Sequence, residues 1–171
     1  MNNILSCLEG VRTVIIAGHT RPDGDCVGAC MGLWHYLRDN YPEIEADVRL
    51  EPVPESYKVI AGVEQIIGSY EDDKVYDLFI ALDASDKGRL AGAQKYFDTA
   101  KHRICIDHHI SNPGFADTNH VKGEISSASE VLYSLLDKEK IDLDIATAIY
   151  TGMIHDTGVF QYSSTSRTVS L

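Results

Sequence analysis

Paired cysteines, long apolar runs and a surplus of basic residues are all missing from this chain, and each absence removes a class of protein. The four cysteines, Cys7, Cys26, Cys30 and Cys105, form no C-x-x-C pair, so neither a disulfide framework nor a zinc ribbon is indicated, and they read as small buried apolar residues. Apolar stretches such as residues 14–17 and 78–82 fall far short of the roughly 20 residues that span a bilayer. The first residues also lack the basic-then-apolar order of a signal peptide. No membrane association and a cytoplasmic location are the expectations that follow. Lys and Arg number 15 against 26 Asp and Glu, a formal charge of −11. Because phosphate neutralisation by basic side chains supplies most non-specific nucleic-acid affinity, this balance argues against wrapping long duplexes and favours short or monomeric substrates.

What is present is an ordinary globular composition, 44% hydrophobic and 24% charged over 171 residues, enough for one domain over 1–171 with a substantial core. Short β-branched apolar runs alternate with longer amphipathic stretches, the pattern of an α/β fold with a mostly parallel sheet flanked by helices. Strands are expected at 13–17, 46–50, 78–82 and 103–106. Cys26, Ala29, Cys30, Leu33 and Leu37 recur at helical spacing behind Asp23 or Asp25 as cap, with Gly28 and Gly32 expected to let that helix lie close to the sheet. A second helix enters through residues 126–130, and a third runs from Asp142 or Leu143 towards Met153. Ser164, Thr165 and Ser166 are cap candidates for a final segment, 167–171, that holds hardly one turn. The expectation drawn from it is a chain truncated at its C-terminus, with a second domain missing.

Three of the expected strands run straight into polar clusters. The first, His19-Thr-Arg-Pro-Asp23-Gly-Asp25, puts an imidazole and two carboxylates in a loop between a strand and a helix, where Pro22 and Gly24 shape the backbone and helix N–H groups face any phosphate nearby. Its plainer reading is a turn with capping aspartates. Asp83 and Asp86 follow the third strand, and Asp107-His108-His109 follows the fourth. Neighbouring histidines on extended chain point in opposite directions, so one can ligate an ion while the other faces a substrate. Asp156 stands after an apolar helix, before a Gly-containing turn. In open parallel sheets ligands gather at the carboxyl ends of the strands, so the clusters are expected to converge. So many carboxylates in one crevice repel one another and raise each other's pKa; cations solve that problem. Two divalent ions, +4 together, would take −11 to −7. An oxygen and nitrogen ligand set without thiolate suits Mn²⁺ or Mg²⁺, with Zn²⁺, Fe²⁺ and Co²⁺ also accommodated.

In this order the segments HTRPDGD, ALDASD, IDHH and IHDTGVFQY resemble the DHH phosphoesterase family, whose name is the triplet Asp107-His108-His109. The resemblance implies a Rossmann-like domain in which His19, Asp23 and Asp83 hold one ion, and Asp25, Asp83, His108 and Asp156 hold the other. It also implies that Asp107 orients His108 and that His109 meets the phosphate, with Arg21 or Arg89 neutralising developing charge. His35, His102, His120 and His155 carry no such pattern. The motif style, with Ser126-Ser-Ala-Ser-Glu130, looks most like the nanoRNase and phosphoadenosine-phosphate phosphatase branch. The implied activity is two-metal hydrolysis of 3′,5′-phosphodiester bonds in short oligonucleotides, or of adenosine bisphosphate. The implied second domain, DHHA1, has no Gly-rich motif here. Cyclic-dinucleotide phosphodiesterase, RecJ-like exonuclease and inorganic pyrophosphatase activities share the same ligand set, and a non-catalytic metal or nucleotide sensor is the alternative outside catalysis.

Overall fold

Alternation along the strands decides the two faces of the sheet. Val14, Ile16, Leu78, Ile80, Leu82, Ile104 and Ile106 enter one apolar cluster, and Ile15, Ala17, Phe79, Ala81 and Cys105 enter another. All are buried, the pattern of parallel strands covered on both sides. The computed structural model describes residues 7–162 and 164–170. Its elements run β1 (Thr13–Ala17), α1 (Gly24–Asn40), β2 (Glu45–Arg49), β3 (Leu78–Leu82), α2 (Gln94–Thr99), β4 (His102–Asp107), β5 (Thr118–Val121), α3 (Ala128–Leu135), α4 (Leu143–Asp156) and α5 (Ser166–Val169), with short 3₁₀ turns between.

The sheet has the order β2-β1-β3-β4-β5, and every neighbouring pair is parallel. From β1 the chain steps outward to β2, then crosses back to β3 on the other side. That reversal leaves a crevice at the carboxyl ends of β1 and β3, where ligands of doubly wound sheets bind. Helices α1, α3 and α4 cover one face, while Tyr96 and Phe97 of α2 pack on the other, Phe97 edge-on to Phe79 at 5.2 Å. The α/β architecture with helices on both faces is therefore as the sequence pattern implies.

Caps explain where the helices start. Asp23 begins α1, accepting from the amides of Asp25 and Cys26; Ser127 begins α3; Asp142 begins α4. Each such cap contributes about 1 kcal/mol. In α5 the reciprocal bonds of Thr165 and Thr168 close the first turn, and Leu171 lies outside the described residues. One expectation is corrected: a Cβ at Gly28 would lie 2.6 Å from the Ala148 carbonyl, and one at Gly32 would lie 2.8 Å from Ile149. These glycines bring α1 against α4, not against the sheet. The edge strand β5, Thr-Asn-His-Val with no apolar run, escapes sequence patterning altogether. Among the described residues no helix is long and apolar enough to cross a membrane.

Candidate metal centre

Each cluster leaves a strand or helix at the switch point. Gly18 turns the chain out of β1, where a Cβ would fall 2.2 Å from Cys26 Sγ and 2.9 Å from the Leu82 carbonyl. His19 follows, its Nδ1 2.8 Å from the Thr20 carbonyl. That bond fixes the tautomer and leaves Nε2 to face Asp23 Oδ2 at 3.6 Å and Asp83 Oδ2 at 3.4 Å. Asp23 serves two ends at once. Its Oδ1 takes the first amides of α1, at 3.0 and 3.1 Å, while Oδ2 faces the crevice. The α1 amides of Asp25 and Cys26 are thus already satisfied by their own cap.

Asp83 ends β3 in left-handed backbone, φ 54°, a conformation that costs a non-glycine residue about 1–3 kcal/mol and persists where the surroundings over-determine it. Its amide donates to the Ile106 carbonyl, 3.1 Å away. The turn aims the carboxylate between two imidazoles: Oδ2 towards His19, and Oδ1 3.5 Å from His108 Nε2. His108 Nε2 also lies 3.1 Å from Asp156 Oδ2 and 4.0 Å from Asp25 Oδ2. Asp156 is the last residue of α4 rather than a residue beyond it. Asp25 is fully buried, and its two oxygens accept from the amides of Ala128 at 2.6 Å and Ser129 at 2.9 Å, at the N-terminus of α3. Gly152 of α4 leaves room for this, since a Cβ there would stand 2.8 Å from Asp25 Oδ1.

Asp107 corrects an expectation. Its Oδ1 bonds His109 Nδ1 at 2.8 Å, not His108, and its Oδ2 accepts from Asn112 Nδ2 at 2.7 Å. The reason is that the chain turns after β4 instead of staying extended, so the rings of His108 and His109 lie on one side with centroids 4.6 Å apart. Asn112, unremarked in the sequence because an Asn in Ser-Asn-Pro-Gly reads as a turn former, also donates to the Ala84 carbonyl at 3.0 Å, tying the β4 loop to the Asp83 turn. Two further residues emerge only in space. The buried Cys26 has its sulfur within 4.8 Å of donor atoms of His19 and Asp83, and His155 stands likewise beside Asp23 and Asp156. Arg21 sits exposed on the rim, φ 54°, its amide donating to Glu51 Oε2 at 2.7 Å. Asp86 caps the following 3₁₀ turn, and the Arg89 carbonyl there accepts from Thr20.

The charges are strongly coupled. Burial opposes charging of His19, yet Asp23 and Asp83 outweigh it and push its pKa up to about 11. His108 follows the same logic, raised to about 9 against burial by Asp83, Asp25 and Asp156. Burial, with Asp83 and Asp156 nearby, holds Asp25 well above the usual carboxylate range, and burial also raises Asp156. The carboxylates of this crevice thus favour positive charge among them. A second observation points the same way: Asp83 Oδ1 is buried with no hydrogen-bond partner among the described residues, a costly state for a carboxylate oxygen unless a cation takes it. The residues present therefore fit a pair of divalent ions sharing Asp83.

Fold and centre together define a class, a doubly wound α/β domain with an aspartate and histidine centre at its switch point. The family model described as "DHH family, N-terminal domain" matches residues 13–153, and the chain belongs to the DHH family of phosphoesterases. It is 30% identical over 167 residues to a probable bifunctional oligoribonuclease and PAP phosphatase NrnA of Streptococcus mutans, covering 95% of this chain and 51% of that protein. With the bifunctional oligoribonuclease and PAP phosphatase NrnA of Bacillus subtilis the identity is 32% over 161 residues, covering 90% and 49%. An exopolyphosphatase-related protein from Bacteroides fragilis superposes with a TM-score of 0.86 at 27% identity, covering 98% of this chain and 52% of the other. The chain thus spans about half the length of these relatives.

Proposed function

We propose that this domain is a two-metal phosphoesterase that hydrolyses 3′,5′-phosphodiester bonds of short oligonucleotides and the phosphate ester of adenosine bisphosphate. His19, Asp23 and Asp83 would hold one ion, and Asp25, Asp83, His108 and Asp156 the other, with Mn²⁺ favoured by the donor set and Mg²⁺, Co²⁺, Fe²⁺ or Zn²⁺ also suited to it. When bound, the ions supply Lewis acidity and a water of lowered pKa. The observation that carries this reading is Asp83, whose two oxygens face different imidazoles at 3.4 and 3.5 Å while one of them lacks any hydrogen bond among the described residues. The rest of the chemistry belongs to side chains. Asp107 fixes His109 through Nδ1, leaving Nε2 of this half-exposed ring to donate to a phosphoryl oxygen as charge develops there. Arg21 supplies a cationic group on the exposed rim of the loop between β1 and α1. The names of the Streptococcus and Bacillus relatives support the substrate class.

The likeness to the exopolyphosphatase-related protein of Bacteroides fragilis favours a second reading, hydrolysis of inorganic polyphosphate or pyrophosphate at the same centre. Elemental analysis should return two Mn-type ions per chain, and a single tetrahedral zinc would contradict the assignment. Assays of the full-length protein against a dinucleotide, adenosine bisphosphate, a cyclic dinucleotide and pyrophosphate separate the substrate readings. A dinucleotide left intact by protein carrying two ions would rule out the leading one.

A further inference from the structure

The metal centre leaves one buried carboxylate unused. Glu130 sits in the first turn of α3, and its Oε2 accepts from Ser126 Oγ at 2.6 Å and from Thr168 Oγ1 at 3.0 Å, all three residues being buried. Taking a carboxylate out of water is costly unless hydrogen bonds offset the loss, and an aliphatic side chain would fill the same space without that cost. What the carboxylate adds is a junction of three segments: the loop entering α3, the first turn of α3, and α5, where Thr165 and Thr168 bond one another. The same turn seats Asp25. The amides of Ala128 and Ser129 donate to its two carboxylate oxygens, the Ser129 hydroxyl donates to its carbonyl at 3.5 Å, and the Glu130 amide donates to Ser127 Oγ at 3.0 Å. The amides that open α3 are thus committed to Asp25 and to the cap.

We infer that Glu130 is a positioning residue: joined to Thr168, it fixes the first turn of α3 and, through the amides of that turn, the aim of Asp25, so that the seating of α5 and the hold on one ion are coupled. The inference rests on the two-ion reading and adds a control to it. The Asp25 carboxylate is fully buried and moves with the amides that grip both its oxygens. It lies 4.0 Å from His108 Nε2, so a small displacement of the turn changes the space between these two groups. His19 and Asp23 are held differently, by the Thr20 carbonyl and by the start of α1. The ion assigned to them should feel α3 far less.

Titration calorimetry of Mn²⁺ into the metal-free protein, with hydrogen exchange at the Ala128 and Ser129 amides followed by NMR, tests this. Glu130→Met, close in volume and without the carboxylate that joins Ser126 to Thr168, should weaken one of the two binding steps by about 10–100-fold, the usual worth of groups that orient a ligand, and should speed exchange of both amides. Thr168→Val removes one donor and should reproduce part of both effects, while Thr168→Ser should restore the parent values. Loss of packing alone would weaken both steps equally, or lower the melting temperature without touching either. Each of those results overturns the inference, as does parent-like binding with parent-like exchange. Should Glu130→Met not fold, the two Thr168 variants decide. If the parent takes up fewer than two ions, the two-ion reading falls and exchange decides the junction: faster in Thr168→Val, it stands; unchanged, it falls too.

Discussion

Strand β3 is bracketed by two aspartates that do opposite things. Asp77, just before it, accepts from the amides of Arg12 at 2.9 Å and Thr13 at 3.1 Å and from Lys101 Nζ at 2.7 Å, while its own amide donates to Thr13 Oγ1 at 3.0 Å. Asp83, just after it, has a buried oxygen with no hydrogen bond among the described residues and a left-handed backbone. Five apolar residues separate them. Both carboxyls are held below the usual carboxylate range, but by different means. For Asp77 the causes are Lys101 and fixed amides of the scaffold; for Asp83, burial works against ionisation and the imidazoles of His108 and His19 overcome it. The amino ends of the strands are finished structure, whereas the carboxyl ends gather the aspartates and histidines that could hold metal ions.

The largest break in this comparison is Asp83→Asn. Asn tolerates left-handed backbone, so circular dichroism and the melting temperature should stay close to those of the parent. Hydrolysis should fall by about 10³-fold or more, since groups that act as a unit fail together, and Mn²⁺ binding should drop from two ions. A variant with near-normal turnover would remove Asp83 from the centre. Next comes Asp107→Asn. It lets the His109 ring turn and disturbs the bond to Asn112, so about 10–100-fold of activity or metal affinity should be lost, as for other groups that orient a ligand sphere. Asn112→Ala should reproduce part of that loss, because it removes the tie between Asp107 and Ala84. If both variants act at the wild-type rate, the clamp is scaffolding only.

How much of this was legible in the sequence follows the same division. Strands β1 and β3 stand where the apolar runs put them, and the cap of α1 is one of the two aspartates the pattern offers, because hydrophobic period and caps are local signals. The convergence of His19, Asp25, Asp83, His108 and Asp156 could be anticipated because each lies at the end of an element, and parallel topology brings such ends together. What stayed hidden depends on contacts between distant segments. The Gly28 approach to Ala148, the seat of Asp25 on the α3 amides and the place of His155 against Gly24 join residues that no spacing rule connects. The exchange of His109 for His108 as partner of Asp107 turns on a backbone bend after β4 that residue types alone do not announce.

At the other end of β3, Asp77→Asn should cost stability and not activity. An amide keeps one acceptor oxygen but loses the charge that three donors share, so about 1–2 kcal/mol should disappear near neutral pH. The dependence on pH has a definite sign. A carboxyl depressed in the folded state contributes stability that is complete above its unfolded pKa, about 3.9, and that is lost as pH falls through the lower folded value. The gap in melting temperature between parent and Asp77→Asn should therefore be widest near pH 7 and close on acidification; a gap constant down to pH 2 would mean that the ionised form is not what matters.

The smallest effect separates the two kinds of donor around Asp77. Lys101 is 67% exposed where it meets the carboxylate, and exposed ion pairs contribute at most about 1 kcal/mol, often nothing measurable. The amides of Arg12 and Thr13 at the start of β1 both bond one oxygen of Asp77, Oδ2, which an Asn keeps without the charge that strengthens both bonds. Lys101→Ala should therefore lower the melting temperature far less than Asp77→Asn, and added salt should shrink the difference between parent and Lys101→Ala while leaving that of Asp77→Asn largely intact. A Lys101→Ala variant as unstable as Asp77→Asn would assign the role of Asp77 to its ion pair instead. The amino end of β3 would then depend on exchangeable surface charge, and the contrast with Asp83 would reduce to a difference in exposure.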